Sequence, residues 1–359
     1  MYRQILMDPL QINLQRILWR NDVSSDVTVY ELTTLTYGTS STPYFATRCL
    51  KYLTEQHASE FPVGSKCVER DFYVDDLLTG ADTIADAKLI IKETTQLLQL
   101  GSFKLSKWAS SCSQLLLGAE GHLEGSVLIG DDVFSRVLGI HWDQNKETLH
   151  FSHKDNADYS STSKRLILSE VARLFDPLGL IGPVIVTAKI IIQELWQTSH
   201  QWDESVPQSI QSRWIKLRSQ LVDLNELRIP RCVMFAADPQ LVQVHGFCDA
   251  SQRAYGACIY LRTETANGYR VELLCSRSRV APLKVISLPR LELSAALLLS
   301  QLLEKTRNSF DLSRMNIFLW SDSMIALNWL SSPSRKWTTF VANRVGEIQR
   351  LTKIENWRL

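Results

Sequence analysis

The sequence predicts a chain of several domains in which helices and strands are mixed. We expect α+β order in the N-terminal part, helices in the middle, and one mixed α/β sheet flanked by helices at the C-terminal end. The length of 359 residues accommodates two or three domains of about 100–200 residues each. The hydrophobic content of 45% is ordinary for a globular protein, so no long disordered tract is predicted. Because the net charge is only +1, any surface that binds nucleic acid has to be local.

Cysteine usage favours a reducing compartment. The seven cysteines are odd in number and include no Cys-x-x-Cys pair, which argues against a disulfide scaffold or a zinc site. We therefore expect a cytoplasmic protein. No signal peptide is expected, because the first residues lack a charged and then apolar pattern. The most apolar segment is interrupted by Pro183, Lys189 and Glu194, so no contact with a membrane is expected.

The N-terminal part alternates between strands and helices. Strands are predicted at 16–20 and 27–35, and a turn of glycine and hydroxyl residues at 36–44 leads into a helix from about Pro43 to Glu55. Such a turn can receive a phosphate group, although many helices begin in this way. Further along, a helix from about Thr83 to Leu100, a strand at 103–108, and pairing of 137–142 with 148–151 are predicted.

Two adjacent carboxylates, Asp75 and Asp76, lie between the apolar runs Phe72–Val74 and Leu77–Leu78. Apolar runs with aromatic and β-branched residues predict strands, and Asp-Asp is typical of turns, so the segment predicts a hairpin. Like charges held together need a cation, solvent or a raised pKa. A divalent ion such as Mg²⁺ is one solution and a solvated polar turn is the other.

The middle of the chain is predicted to be helical. Helices are expected at 164–175 and 184–196, separated by the sharp turn 176–179, with more helix within 197–230. The residues at 229–231 then mark a boundary.

The last third has a clear order of elements. Strands are predicted at 242–248, 255–263 and 269–276, a helix from Pro289 to about Glu304, a strand at 317–320, and a helix from Met324. This β-β-β-α-β-α order fits one mixed sheet flanked by helices.

Three acids fall at comparable places in that order. Asp249 follows the first strand, Glu292 lies in the expected first turn of the helix, and Asp322 follows the fourth strand. Each alone has an ordinary explanation, as an Asx turn, a first-turn helix acid and a helix cap. If the first and fourth strands are neighbours, all three meet in one pocket. Such a cluster binds two divalent ions, Mg²⁺ or Mn²⁺, which together clamp the attacking and leaving oxygens of a phosphodiester.

Two basic stretches flank these acids. The first contains Arg277, Arg279, Lys284 and Arg290 without an intervening acid, and the second contains Arg335, Lys336, Arg344 and Arg350 around Trp337. Basic residues interleaved with aromatic ones suit contact with a phosphate backbone. For the second stretch, a solvated helix face explains the pattern equally well.

Several motifs resemble the polymerase and ribonuclease H part of a BEL/Pao-type LTR retrotransposon polyprotein, and the resemblance extends over essentially the whole chain. Tyr73-Val74-Asp75-Asp76 is similar to the Tyr-x-Asp-Asp box of reverse transcriptases, and residues 36–44 to the nucleotide-pocket turn of that group. The middle segment from Phe175-Asp176-Pro177-Leu178-Gly179 to Trp202-Asp203-Glu204 resembles the distinctive middle part of the family. The ribonuclease H boxes are matched by Phe247-Cys248-Asp249-Ala250-Ser251, Pro289-Arg290-Leu291-Glu292-Leu293 and Trp320-Ser321-Asp322-Ser323.

The resemblance implies roles for particular residues. Asp75 and Asp76 would hold polymerase metals, and Asp249, Glu292 and Asp322 would hold the hydrolytic metals. Nucleotide or primer contacts would come from Tyr37, Gly38, Tyr73, Leu138 and Gly139. The implied domains are a partial reverse transcriptase palm at 1–150, a helical thumb or connection at 151–235 and an RNase H-like domain at 236–359. The implied partners are RNA, DNA, RNA–DNA hybrid, dNTPs where the polymerase site is complete, and other parts of the polyprotein. As alternatives to the cytoplasm, the resemblance implies a virus-like particle or the nucleus.

Departures from the family pattern limit these expectations. The box with a further polymerase Asp would precede residues 1–4, the fingers are missing, and an Asn-Pro-Ala-Asp box with a fourth hydrolytic acid would follow residue 359. We therefore expect impaired activity at both sites. The alternatives are a non-catalytic remnant that binds nucleic acid and a decayed fragment that folds poorly. A peptidase is rejected, because neither Asp-Thr-Gly nor Asp-Ser-Gly occurs.

Overall fold

A computed structural model describes residues 1–118, 121–122, 135–137, 140–153, 162–236, 238–307, 309–310, 312 and 314–359, with only the backbone described at 117–118, 121–122 and 135–137. The chain forms two compact units, Met1–Leu138 and Gly139–Leu359. The predicted domain bounds at 150 and 235 stay a prediction. Among the described helices, none combines the length and the apolar composition needed to cross a membrane.

The N-terminal unit contains four helices and seven short strands in its described part. The helices are α1 Thr42–His57, α2 Pro62–Asp71, α3 Ile84–Leu100 and α4 Ser113–Leu116. The strands are β1 Arg16–Trp19, β2 Thr28–Glu31, β3 Phe72–Tyr73, β4 Asp76–Leu77, β5 Leu117–Gly118, β6 Gly121–His122 and β7 Ser135–Val137. Three antiparallel pairs form, β1 with β2, β3 with β4 and β5 with β6.

Helices α2 and α3 cross at very short range in the N-terminal unit. A Cβ atom on Gly64 would lie 2.7 Å from the backbone carbon of Glu93, so only glycine fits there. The Glu93 carboxylate accepts hydrogen bonds from the backbone N–H groups of Val63 and Gly64, at 2.8 and 2.9 Å, and thereby caps the first turn of α2. Because β3 begins directly after α2, this crossing also anchors the β3–β4 hairpin.

The predicted strand at 103–108 is wrong. The described backbone has no strand there. The alternating residues Phe103 and Leu105 pack instead against the buried cluster of Leu50, Leu97 and Leu98. Burial of single side chains therefore explains the alternation.

The C-terminal unit begins with a small sheet and a helical layer. Strands β8 Ile140–Asp143 and β9 Thr148–His150 pair antiparallel, which confirms the predicted pairing in the described residues, and β10 Ile229–Pro230 pairs with β9. The helices are α5 Lys164–Arg173, α6 Gly182–Trp196 and α7 Gln208–Gln220, which confirms the predicted helical middle. Trp214 is fully buried among them, and a buried ion pair joins Arg218 to Glu170 at 2.8 Å.

The main sheet of the C-terminal unit has five strands in the order β13-β12-β11-β14-β15. The strands are β11 Val242–Ala250, β12 Ala254–Thr265, β13 Gly268–Val280, β14 Asn316–Ser321 and β15 Trp357–Arg358. Strands β11, β12 and β13 are antiparallel neighbours, whereas β11, β14 and β15 run parallel. The predicted mixed sheet is confirmed, as is the predicted adjacency of its first and fourth strands.

Three helices accompany this sheet, α8 Leu288–Arg307, α9 Met324–Leu330 and α10 Thr339–Leu351. Strand β11 alternates between buried and more exposed residues, so that Val242, Val244 and Cys248 join the buried core that Leu299 and other residues of α8 complete. Burial on this scale fixes the register of β11, because a slip by one residue would turn the apolar side chains to the other face.

Candidate metal centre

Asp249 and Asp322 come together because their strands are parallel neighbours. The last registered pair between β11 and β14 is Cys248 with Ser321, and each aspartate follows directly. Neighbouring strands lie about 4.8 Å apart, so the two carboxylates leave the same edge of the sheet side by side. The backbone N–H of Ala250 donates to Oδ1 of Asp249 at 2.7 Å, which turns that carboxylate back over the strand end.

Glu292 reaches the same place from α8. Since this helix begins at Leu288, Glu292 is its fifth residue, and the expected placement in the first turn is wrong by one position. Its neighbours Leu291 and Leu293 are buried, so the helix is held firmly against the sheet. Glu292 itself is only 7% exposed.

The three carboxylates form one cluster. One oxygen from each of Asp249, Glu292 and Asp322 lies within 4.8 Å of the other two. In the described part of the chain, this is the one group of three or more acidic, histidine or cysteine side chains with that spacing. The three acids therefore form one shared site, and the separate explanations as an Asx turn, a first-turn helix acid and a helix cap are not needed.

The electrostatics of Glu292 fit a cation site. Burial, together with the charges of Asp249 and Asp322, raises the pKa of Glu292 to about 7, although a hydrogen bond from the backbone of Ala250 acts in the opposite direction. Within the described residues, Oε2 of Glu292 is buried and has no hydrogen-bond partner. A divalent cation would supply the missing partner and compensate the three charges.

The ligand atoms suit a hard cation. All three side chains offer oxygen, which Mg²⁺ and Mn²⁺ prefer, whereas softer metals select sulfur and nitrogen. The nearby thiol of Cys248 points into the core, where its Sγ contacts the carbonyl oxygen of Trp320 at 3.4 Å. Burial raises the pKa of this thiol, so it stays protonated and is not a ligand.

Asp75 and Asp76 lie on the β3–β4 hairpin, as the sequence predicts. Tyr73 pairs with Asp76, and Val74 adopts a left-handed backbone conformation with φ of 59° in the turn between them. Both aspartates and Tyr73 are exposed. No third ligand joins them among the described residues.

The other predicted nucleotide and primer contacts lie at two places. Tyr37 and Gly38 are in the turn before α1, where Gly38 has φ of +86° and the Tyr37 ring packs edge-on against Tyr2 at 5.1 Å. Leu138 and Gly139 lie outside the described residues.

The structure brings some predicted basic residues together. The guanidinium groups of Arg290 and Arg344 both lie over the ring of Phe340, at 5.2 and 3.6 Å from its centroid. Lys336 lines a cavity of about 600 Å³ with Arg290. Lys284 is exposed in the loop before α8.

Two further predicted basic residues lie on the edge strand β13. Arg277 and Arg279 of β13 line a separate groove together with Lys189 and Lys305. The sequence analysis did not assign these two lysines to a binding surface, since Lys189 lies in an apolar helix and Lys305 lies beside Glu304 on another. They could have been found by looking for basic residues on the helices predicted to pack beside the strand that carries Arg277 and Arg279.

A mixed sheet with carboxylates at the ends of adjacent parallel strands and on the helix that crosses them defines an RNase H-like domain. Residues 163–323 match the family described as the Pao retrotransposon-like RNaseH-like domain. The resemblance to a Pao-type retrotransposon is thereby confirmed for this range, which contains all three clustered acids and also α5, α6 and α7. No curated protein sequence matches the chain significantly.

Two foamy viral structures are among the solved structures that are similar to the chain. The structure of the foamy viral protease-reverse transcriptase in complex with dsDNA has a TM-score of 0.48 and 12% identity, and the match covers 98% of this chain and 63% of that chain. A crystal structure of a selenomethionine-labelled mutant of the prototype foamy virus protease-reverse transcriptase has a TM-score of 0.25 and 16% identity, with 98% and 41% covered. The chain spans less than two thirds of the length of either.

Proposed function

We propose that the C-terminal unit hydrolyses the RNA strand of RNA–DNA hybrids with the help of divalent cations. The observation that carries this proposal is the convergence of Asp249, Glu292 and Asp322 within 4.8 Å, each from a different element of an RNase H-like fold. The substrate class follows from the family match and from the basic residues on the same unit.

The three carboxylates would hold Mg²⁺ or Mn²⁺. Two such cations, when bound, stabilise the attacking and leaving oxygens of a phosphodiester. The protein contributes the geometry: β11 and β14 fix the two aspartates, and the buried first turns of α8 fix Glu292. Such preorganisation lowers the cost of assembling the charged site around the substrate.

A binding role without chemistry is the second candidate. It is favoured by Arg290 and Arg344, whose guanidinium groups lie on the Phe340 ring next to the cavity lined by Lys336. Cationic side chains next to aromatic rings are suited to binding a nucleic-acid backbone, and such binding needs no metal ion. RNA-templated DNA synthesis at Asp75 and Asp76 is a separate proposal, supported by the hairpin and its Tyr-x-Asp-Asp sequence.

A cleavage assay separates these candidates. A labelled RNA–DNA hybrid, a DNA duplex and a single-stranded RNA are incubated with the full chain and either Mg²⁺ or Mn²⁺. We expect cleavage of the RNA in the hybrid alone, with a loss of at least about 100-fold in rate for Asp249→Asn. The exposed acid Asp223 provides the matched control, because Asp223→Asn lies outside the cluster and leaves the rate unchanged. Tight binding of the hybrid without cleavage would favour the second candidate. The cleavage rate of the wild type also measures how far its hydrolytic activity is impaired.

A further inference from the structure

A groove of about 670 Å³ runs along the outer side of β13. Its walls are β13 itself, the C-terminal end of α8, and the turn that leads into α6. Strand β13 is the edge strand of the main sheet, so this groove lies beside the sheet and not at the strand ends where the carboxylates cluster.

Four cations converge on this groove from three elements. Lys189 comes from α6, Arg277 and Arg279 from β13, and Lys305 from the last turn of α8. All four side chains are exposed, and within the described residues none of them forms an ion pair or a side-chain hydrogen bond. Lys189 interacts electrostatically with Asp176, whereas no described ion pair neutralises the other three cations, which are therefore available to bind an anion.

The groove offers almost no negative charge of its own. Asp176 is the one acid among the described lining residues. Its carboxylate already accepts hydrogen bonds from the backbone N–H groups of Leu180 and Ile181, at 2.8 and 3.0 Å. Four positive charges against one occupied carboxylate attract a ligand with several negative charges.

The register of the sheet connects this groove to the metal centre. Arg279 pairs with Tyr255, which pairs with Ala250, the residue after Asp249. Two strand spacings separate β13 from β11, so the arginines begin about 10 Å from the clustered carboxylates. Lys305 follows Glu292 by thirteen residues on α8, which is about 20 Å along the helix.

We propose that this groove binds the phosphate backbone of the nucleic-acid substrate at a distance of several nucleotides from the bond that is cut. This proposal rests on the proposed function, because it extends the substrate beyond the metal centre. One strand of a duplex presents a phosphate about every 3.4 Å of axis, so the span of about 10–20 Å corresponds to about three to six nucleotides. Arg277 and Arg279 contact this backbone together with Lys189 and Lys305.

The middle helical segment thereby gains a role in binding. Lys189 is presented to the groove because α6 is fixed against β13. The backbone N–H of Ser276 donates to the carbonyl oxygen of Leu178 at 2.8 Å, and Nε2 of Gln193 donates to the carbonyl oxygen of Ala281 at 2.7 Å. These bonds hold the turn before α6 and the C-terminal part of the helix, and Lys189 lies between these two points.

The salt dependence of binding tests this groove. The affinity of the full chain for an RNA–DNA hybrid of about 20 base pairs is measured by fluorescence anisotropy in EDTA, between about 50 and 200 mM salt. The double variant Lys189→Gln/Lys305→Gln removes two contacts to the phosphate backbone of the nucleic acid. It should bind the hybrid about tenfold more weakly at the lowest salt concentration. It should also reduce the slope of log K against log salt by about 1.4 to 1.8. The exposed Lys216 of α7 serves as the control, and Lys216→Gln should change neither quantity.

The outcomes separate the groove from the proposed function. An unchanged slope in the double variant overturns the groove, even if the wild-type chain cleaves the hybrid. A reduced slope in a chain that never cleaves upholds the groove and defeats the hydrolytic proposal. A wild-type chain that does not bind the hybrid, or a slope that falls equally with Lys216→Gln, also overturns the groove.

Discussion

Glu292 is a carboxylate that is largely removed from water. It is 7% exposed, it faces two other acids, and its Oε2 has no hydrogen-bond partner among the described residues. Desolvation and like charges both disfavour ionisation, so this side chain is costly to keep in the metal-free protein. A residue retained at such a cost favours a functional explanation over a structural one.

The pKa of Glu292 gives a stability prediction with a definite sign. The pKa is about 7 in the folded protein against an ordinary 4.5. Between these values the folded state binds more protons than the unfolded state, so stability falls as the pH rises through this window. In EDTA, Glu292→Gln should therefore be more stable than the wild type at pH 8, by about 1–3 kcal/mol, and nearly equal to it at pH 5.

Urea denaturation at the two pH values checks this prediction. The exposed Glu264 supplies the control, because Glu264→Gln removes a carboxylate without relieving burial. Mg²⁺ should also stabilise the wild type more than Glu292→Gln, since the cation binds the folded state. A difference between wild type and Glu292→Gln that stays constant from pH 5 to pH 8 would contradict the assigned electrostatics.

At the scale of elements, the turn before α6 is seated directly on β13. Gly179 has φ of +74°, and a Cβ atom there would lie 2.0 Å from the carbonyl oxygen of Ser276. The Ser276 hydroxyl also donates to the carbonyl oxygen of Gly179. This contact covers part of the free edge of β13, which would otherwise offer unpaired backbone groups to another chain.

Gly179→Ala should destabilise the protein by about 3 kcal/mol or more, because the left-handed backbone costs about 1–2 kcal/mol and the clash adds to it. Gly268 separates the two causes: its φ is +113°, but nothing lies within 4 Å of an added Cβ. Gly268→Ala should therefore cost only the backbone strain. Equal losses of unfolding free energy in the two variants would refute the close docking of the turn.

The buried ion pair between Arg218 of α7 and Glu170 of α5 tests the packing of the helical layer. Both side chains are less than 10% exposed and their charged atoms are 2.8 Å apart. Arg218→Met removes the cation that pairs with the buried Glu170 charge, so we expect a loss of about 3–5 kcal/mol. Arg165→Met breaks the exposed pair with Asp203 and should change stability little. A small loss for Arg218→Met in urea denaturation would show that water reaches Glu170.

How far the sequence predicts each element depends on what stabilises it. Strands β11 to β14 and helix α8 carry regular apolar patterns, and their order was correctly predicted. Helix α2 was missed, because its buried positions include Gly64 and Ser65, which have no apolar side chain to reveal them. Strand β15 was missed because two residues pair with β14 only after the whole sheet has formed.

The candidate site could be predicted in its membership but not in its electrostatics. The spacing of Asp249, Glu292 and Asp322 along the predicted elements was sufficient to place them together. The burial of Glu292 depends on how α8 packs on the sheet, which local patterns do not encode. The groove beside β13 depends on the docking of the turn at Gly179. Only the structure therefore shows that Lys189 and Lys305 line the same groove.

At the scale of the whole molecule, each of the two units carries a set of carboxylates that could bind metal ions. The two sets differ in how many ligands they bring together. The set in the C-terminal unit combines three acids and a buried oxygen in need of a partner. The set on the N-terminal hairpin has two exposed acids, and no third ligand lies with them among the described residues. We therefore assign the hydrolytic chemistry to the C-terminal unit.

The most direct test compares one acid from each set in a single assay. Cleavage of a labelled RNA–DNA hybrid in Mn²⁺ is measured for the wild type, Asp322→Asn and Asp75→Asn. We predict that Asp322→Asn loses at least about 100-fold in rate, because it removes a ligand of the metal centre, while Asp75→Asn cleaves like the wild type. Cleavage that survives Asp322→Asn, or that is lost with Asp75→Asn, would contradict the assignment of this chemistry to the three clustered carboxylates.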